Sequence, residues 1–169
     1  MKKTIDTALE RVLIVILAVM TLSVLWQVFS RYVLQNPSNW TDELVRFLFM
    51  WLGLLGAAYI TGRRMHLAID ILPSRSNEKN QKKLNILIYS LVAAFSLFVM
   101  VVGGIRLVYI TLTLNQISPT LEVPLGYVYL VVPISGILII YYSILNIVDF
   151  EPVVPEQDRL EENINPQNN

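Results

Sequence analysis

This chain of 169 residues has no cysteine and a single histidine, His66. Disulfides, thiolate metal sites and cysteine nucleophiles are therefore excluded. One imidazole cannot by itself build a metal centre. Charge is missing too, over long stretches. Val12–Ser30, Leu84–Ile105 and Val123–Val148 contain no Asp, Glu, Lys, Arg or His, and Leu44–Gly62 is broken only by Arg46. About 20 apolar residues cross the roughly 30 Å hydrocarbon core as a helix. What is present is therefore four membrane spans, expected over about residues 12–34, 44–62, 84–108 and 124–148. The expected fold is all-α: an integral membrane protein of four transmembrane helices arranged as two hairpins, forming one domain over residues 1–148. Short loops and a polar tail leave no room for a separate soluble domain.

A second absence bears on function. No Asp, Glu, Lys or His lies near the middle of any span. Intramembrane ionisable residues mark proton relays and ion pathways, and a self-sufficient proton-coupled carrier would want one. Backbone carbonyls and Ser/Thr at a broken helix could still bind sodium. No motif sets a nucleophile beside a base, so an enzyme is not expected. No cofactor and no nucleic-acid partner are expected either.

The first span follows Met1-Lys2-Lys3. Its apolar run is too long for a signal-peptide core, and Ser30-Arg31-Tyr32 is no small-residue cleavage site, so it reads as a retained helix. Gln35-Asn36-Pro37-Ser38-Asn39 is turn chemistry. Asn39 or Thr41 could cap the second helix, with Asp42 and Glu43 in its positive first turn. Arg63-Arg64 ends that helix. In the polar connection that follows, residues 66–72 alternate apolar and polar and could lie in the interface as a short amphipathic helix, stopped by Pro73. Pro124 suits a first helical turn. Pro133 frees the carbonyl of Tyr129 and kinks the fourth span. Residues 149–169 carry six acidic side chains with Pro, Asn and Gln, a composition that reads as disordered.

Orientation follows from the basic residues. Ten of the thirteen Lys and Arg lie in the N-terminus, the middle connection and the tail, while Arg31, Arg46 and Arg106 lie on the other side. Lys and Arg gather on the cytoplasmic side, which places both termini and the middle loop there. Trp40, Tyr109, Tyr127 and Tyr129 would form the outer aromatic belt, Tyr141 and Tyr142 part of the inner one.

Few residues stand out as candidates for specific contacts. Asp42, Glu43 and Arg46 share a helix face at i,i+4 and i,i+3 spacing. Either Arg46 is neutralised locally so that the helix inserts, or the cluster meets another subunit. Arg31 could join it across the short turn, or snorkel alone. His66 and Asp70 would be an i,i+4 pair, either at the interface or solvated. Arg63 and Arg64 set topology and could touch anionic headgroups. Gly53 and Ala57 form a small-xxx-small pair, used either inside the four-helix unit or on another protein. Gln27 in the first span is most simply glue between helices.

Several of these elements occur in an order that resembles a known family. Trp26-Gln-Val-Phe-Ser-Arg31-Tyr32 is followed by Asn36-Pro37-Ser38-Asn39-Trp40-Thr41-Asp42-Glu43-Leu44 and by Arg46-Phe47-Leu48-Phe49. Then come Gly53–Ala58, Arg63, His66, Ile69, Asp70 and Leu72, and later Ser118, Leu121, Pro124, Tyr129 and Pro133. Over about residues 8–148 the chain resembles the small membrane subunit of the tripartite ATP-independent periplasmic (TRAP) transporters. Gln35 before Asn36-Pro37 is a departure at a variable position.

The resemblance implies a division of labour. A periplasmic binding protein captures an organic anion such as a C4-dicarboxylate or a sialic acid. A large multi-span subunit carries it inward with sodium, and the sodium sites lie in that subunit. The small subunit braces the large one in a heterodimer, in a bacterial inner membrane. On that reading Arg31, Trp40, Asp42, Glu43, Arg46, Gly53 and Ala57 serve the subunit interface or its orientation. Arg63, Arg64, His66 and Asp70 belong to a cytoplasmic segment resting on the inner leaflet. The residues alone leave open an independent homo-oligomeric transporter and an assembly adaptor unrelated to transport.

Overall fold

The computed structural model describes residues 2–36, 38–63 and 78–149. The 66–72 segment, the side chains of Arg64, His66 and Asp70, and the tail beyond Asp149 lie outside the described residues. Four helices are long and apolar enough to cross a membrane: α1 (Lys2–Tyr32), α2 (Asn39–Gly62), α3 (Asn80–Thr113) and α4 (Leu125–Val148).

α1 and α3 outrun their charge-free cores furthest. α1 begins at Lys2, ten residues before the apolar run, and has 31 residues, or about 46 Å of helix. Its first three turns are not a membrane sequence. They carry Asp6 and Glu10, which find partners on α4 and α2. α3 ends five residues beyond its expected limit, at Thr113. Asn115 then takes a left-handed conformation at φ 47°. The Gln116 amide donates back to the Thr111 carbonyl at 3.1 Å, an ending that Asn and Gly favour. At the start of α2 it is Ser38 that holds the N-cap position, without a side-chain cap bond. Thr41 donates backward to the Ser38 carbonyl at 2.7 Å instead of capping.

The helices form a row. α1 packs on α2, α2 on α4, and α4 on α3. α1 and α3 are the edges, and the consequence shows in burial. In the most apolar stretch of α4, 44% of residues are buried, against 11% in α1, 11% in α3 and 17% in α2, which has two neighbours but keeps an exposed outward stripe. α1 buries Leu9, Ile16, Ser23 and Ser30, one residue every seventh position. A heptad stripe keeps one narrow seam against a neighbouring helix and leaves the rest of the surface open. α4 buries residues on two faces, among them Val131, Ser135, Ile139, Tyr142 and Asn146. Leu9, Ile16, Leu55, Ala58, Val131 and Ile139 make up the apolar core.

Close approach in this core is bought with small residues. A Cβ placed on Gly62 would come 2.7 Å from the Tyr142 ring, and one on Gly136 would come 2.8 Å from Met100 Cβ. Gly104 meets Pro133 and Val132 at 3.0 Å in the same sense. Without a water-driven force between helices in lipid, such contacts supply the attraction. α3 is π-helical over Ser96–Gly103, opposite Gly136. The wider turn brings Met100 and Val101 against that glycine. α4 breaks at Leu130, between a short first helix Leu125–Tyr129 and Val131–Val148. This is one turn before Pro133, where a missing N–H and the ring clash disturb the preceding turn. The Trp51 indole of α2 donates to the Val128 carbonyl at this break, at 2.9 Å.

Candidate functional site

Polar side chains gather at the two ends of the row, and the sequence elements above fall mainly at the end that carries the loops. There α1 delivers Gln27 and Arg31 from its last turns, and α2 delivers Asp42, Glu43 and Arg46 from its first. The third contributor is the loop 114–124. It closes on itself through a bridge between Ile117 and Pro124. The Ser118 amide donates to the Val123 carbonyl and the Glu122 amide to the Ser118 carbonyl, at 3.0 and 3.1 Å. Glu122 sits at φ 54°, the left-handed geometry that lets the chain double back so tightly. The tip presents two amides, Thr120 N–H and Leu121 N–H. Both donate to Oε2 of Glu43 at 3.0 Å. Glu43 thus fastens the loop before α4 to the start of α2.

Asp42 works toward α1 and its own helix. Gln27 Nε2 donates to Asp42 Oδ1 at 3.1 Å, and Arg46 meets Asp42 Oδ2 at 2.8 Å. The Arg46 side chain remains 76% exposed. Arg31 joins the group by position: it lines a cavity of about 410 Å³ together with Gln27, Asp42, Glu43, Arg46 and Thr120. It forms no ion pair with any described residue. Trp40 stands 47% exposed beside this group and outside the cavity lining. Gly53 and Ala57 lie elsewhere, on the outward stripe of α2 with Arg46, Phe49 and Ile60. A Cβ on Gly53 would meet nothing within 4 Å, so this small pair is not used between the helices of the chain.

The opposite end holds a polar knot that the sequence reading missed. Tyr142 of α4 is fully buried and donates its hydroxyl to Asp6 of α1 at 2.5 Å. Asn146 of α4 donates to the Thr61 carbonyl of α2 at 2.8 Å, while Asn85 of α3 donates to the Asn146 carbonyl at 3.1 Å. All four helices meet here. At its rim Arg63 pairs with Glu10 at 3.4 Å and lies over the Tyr59 ring. Its guanidinium is pushed up from its ordinary range, first by the Tyr59 side chain and then by the Glu10 and Asp6 charges. It is a permanent cation. The sequence offered Tyr142 only as part of the inner aromatic belt; the structure instead buries it fully among the helices, and Asn146 was the other signal in that span.

These arrangements bind helices and a loop to one another. No group of three or more His, Cys, Asp or Glu among the described residues could hold a metal ion. The class they define is a multi-pass α-helical membrane protein whose polar groups serve assembly. The family model for the DctQ component of the tripartite ATP-independent periplasmic transporters matches residues 20–151. This chain belongs to that family: it is a small permease subunit of a TRAP transporter, a multi-pass membrane component of a transport system.

Individual relatives agree. A Haemophilus influenzae chain designated a TRAP transporter small permease protein is 30% identical over 80% of this chain and 82% of its own length. The sialic acid TRAP transporter small permease protein SiaQ of Vibrio cholerae is 32% identical over 47% of this chain and 46% of its own. The sialic acid TRAP transporter permease protein SiaT of Haemophilus influenzae is 29% identical over 68% of this chain, a stretch that makes up only 18% of SiaT.

Proposed function

We propose that this chain braces a large TRAP membrane subunit in a heterodimer and takes no part in the transport pathway itself. The observation that carries this reading is the open row of helices. A self-contained carrier encloses its solute path between its helices, whereas here the helices stand in one row with α1 and α3 as edges, whose apolar surface is open to lipid or to a partner. An outward apolar face with small residues is what a membrane partner needs for close packing. Gly53 and Ala57 on α2, with the apolar faces of α1 and α2, form the docking surface. Arg31, Trp40, Asp42, Glu43 and Arg46 fix its orientation at one membrane boundary. The match to less than a fifth of SiaT supports the pairing, since in that relative the same unit sits within a far longer permease chain.

The two helix hairpins are α1–α2 and α3–α4. The excess of Lys and Arg at the terminal end places both termini in the cytoplasm of a bacterium. The Glu43-fastened loop then faces the periplasm, where a substrate-binding protein delivers its cargo. That cargo is an organic anion, a carboxylate of the sialic acid or C4-dicarboxylate kind. Sodium coupling belongs to the large subunit, as the family resemblance implies.

Uptake of a labelled anion into proteoliposomes tests the assignment. Vesicles holding this chain alone are expected to accumulate nothing above empty vesicles. Vesicles holding the chain with its large subunit, supplied with binding protein and a sodium gradient, are expected to accumulate the anion. Uptake by the chain alone would replace this reading with that of an independent homo-oligomeric transporter.

A further inference from the structure

The cavity at the loop end of the row holds a cation that no described residue answers. Its wall carries two guanidiniums, Arg31 and Arg46, and two carboxylates, Asp42 and Glu43. Three of these four are engaged. Arg46 holds Asp42 at 2.8 Å, and Glu43 accepts the Thr120 and Leu121 amides. Arg31 has no ion pair or hydrogen bond with any described residue. Two further features of the wall favour an acceptor. The Ser38 hydroxyl is buried without a hydrogen-bond partner, a costly state for a polar group. α2 also starts here, and Ser38, its N-cap residue, makes no side-chain cap bond. The start of a helix is its positive end.

The depth of the cavity says where such an acceptor comes from. Arg31 directly follows the charge-free run Val12–Ser30 and so stands at the membrane boundary. Tyr32 and Trp40, next in sequence to Arg31 and Asn39, are 75% and 47% exposed, as aromatic residues are at headgroup level. Deeper on α1, Trp26 and Phe29 form a tilted pair at 6.0 Å and are themselves half exposed, a surface along which an acyl chain can lie. The cavity, about 410 Å³, has the size of a small-molecule site, on the order of 300–1,000 Å³.

We infer that this cavity binds the headgroup of a zwitterionic phospholipid, its phosphate oxygens accepting from Arg31 and from the Ser38 hydroxyl. Arginine meets phosphate through paired N–H donors. The ammonium of the same headgroup, as in phosphatidylethanolamine, turns to the carboxylate side of the wall, where Asp42 remains 48% exposed. A headgroup of net negative charge would face Asp42 and Glu43 without that compensation. The site requires only that the row spans a membrane and is independent of any large subunit. Arg106 provides the contrast. It too follows a charge-free run, Leu84–Ile105, but it is not in this wall, so it meets headgroups and water as any boundary arginine does.

The test is native mass spectrometry of the full chain, purified in mild detergent and titrated with phosphatidylethanolamine. One retained phospholipid per chain is expected. Arg31→Gln is expected to raise the lipid concentration for half occupancy about tenfold, as loss of a hydrogen bond to a charged group does. Arg31→Lys should fall between, and Arg106→Gln should match wild type. Arg31 is bonded to no described residue, so the lipid-free Arg31→Gln chain should unfold at the wild-type Tm. Only wild type should then gain Tm on adding the lipid. Phosphatidylglycerol is expected to bind more weakly, and inorganic phosphate to leave Tm unchanged. Equal lipid binding by wild type and Arg31→Gln would overturn the inference, as would equal losses in Arg31→Gln and Arg106→Gln, which reduce the contact to ordinary headgroup solvation. A Tm gain with inorganic phosphate matching that with lipid would overturn it in favour of a soluble-anion site. Tighter binding of phosphatidylglycerol would overturn the zwitterionic match. Each of these failures would leave the accessory-subunit reading standing.

Discussion

The contacts that α4 makes with α2 and α3 and the outward faces of α1, α2 and α3 are written in the same apolar residues, yet they obey opposite rules. At the inner contact there is no spare room. Gly62 lies under the Tyr142 ring, Gly136 against Met100, and a Cβ at either would collide. On the outward face of α2 a Cβ at Gly53 would meet nothing. Polar groups divide the same way. Tyr142, Asn146 and Glu43 are held by partners from other helices or loops, whereas Arg31 and Arg106 are ion-paired to no described residue. A small residue or a charge in a membrane helix therefore carries no meaning until its opposite number is known. Inside the row the opposite number is this chain; outside it the proposed ones are the large subunit and, at Arg31, a lipid headgroup.

Substitutions at the inner contact should damage the chain itself. The largest effect is expected from Gly62→Leu, which drives a side chain into the Tyr142 ring and should cost about 3 kcal/mol, read as a lowered Tm of the isolated chain in detergent. Tyr142→Phe removes the hydroxyl that reaches Asp6. Hydrogen bonds to charged groups are worth roughly 1.5–3 kcal/mol, so a loss near 2 kcal/mol is expected in the same assay. An unchanged Tm in both variants would erase the distinction between inner and outer faces. Glu43→Ala removes the acceptor of the Thr120 and Leu121 amides and should act locally. Amide exchange at Thr120 and Leu121 is expected to accelerate while that of α4 stays slow. Equal protection in variant and wild type would mean that the loop holds its shape without Glu43.

The smallest effect on the chain is expected from Gly53→Leu. Its own stability should stay within about 0.5 kcal/mol of wild type, since the new side chain enters open space. Recovery of the large subunit should nonetheless fall. Normal recovery would remove Gly53 and Ala57 from the docking surface.

The spans were legible because charge-free runs of this length have one physical use. The Asp42, Glu43, Arg46 cluster was legible as a face, because helical spacing fixes it. Its job was only half legible: that Glu43 holds two amides of a loop 77 residues away has no local signature. Asp6 with Tyr142 is hidden for the same reason, being 136 residues apart. Gly53 with Ala57 read as usable either inside the unit or on another protein, and only the neighbours decide: a Cβ on Gly53 meets nothing, whereas one on Gly62 meets Tyr142. Pro133 signalled a disturbed fourth span, but the break lies at Leu130, where Trp51 supplies a donor to the Val128 carbonyl. Nothing in the residues of α3 announced its π-helical stretch opposite Gly136.

If the outward faces belong to a partner, the chain leaves the membrane as part of a larger complex. The mass of the complex formed by the wild-type chain, extracted from native membranes and weighed intact, tests this most directly. One copy of this chain with one much larger multi-span subunit is the predicted result. A dimer or tetramer of this chain alone would contradict it.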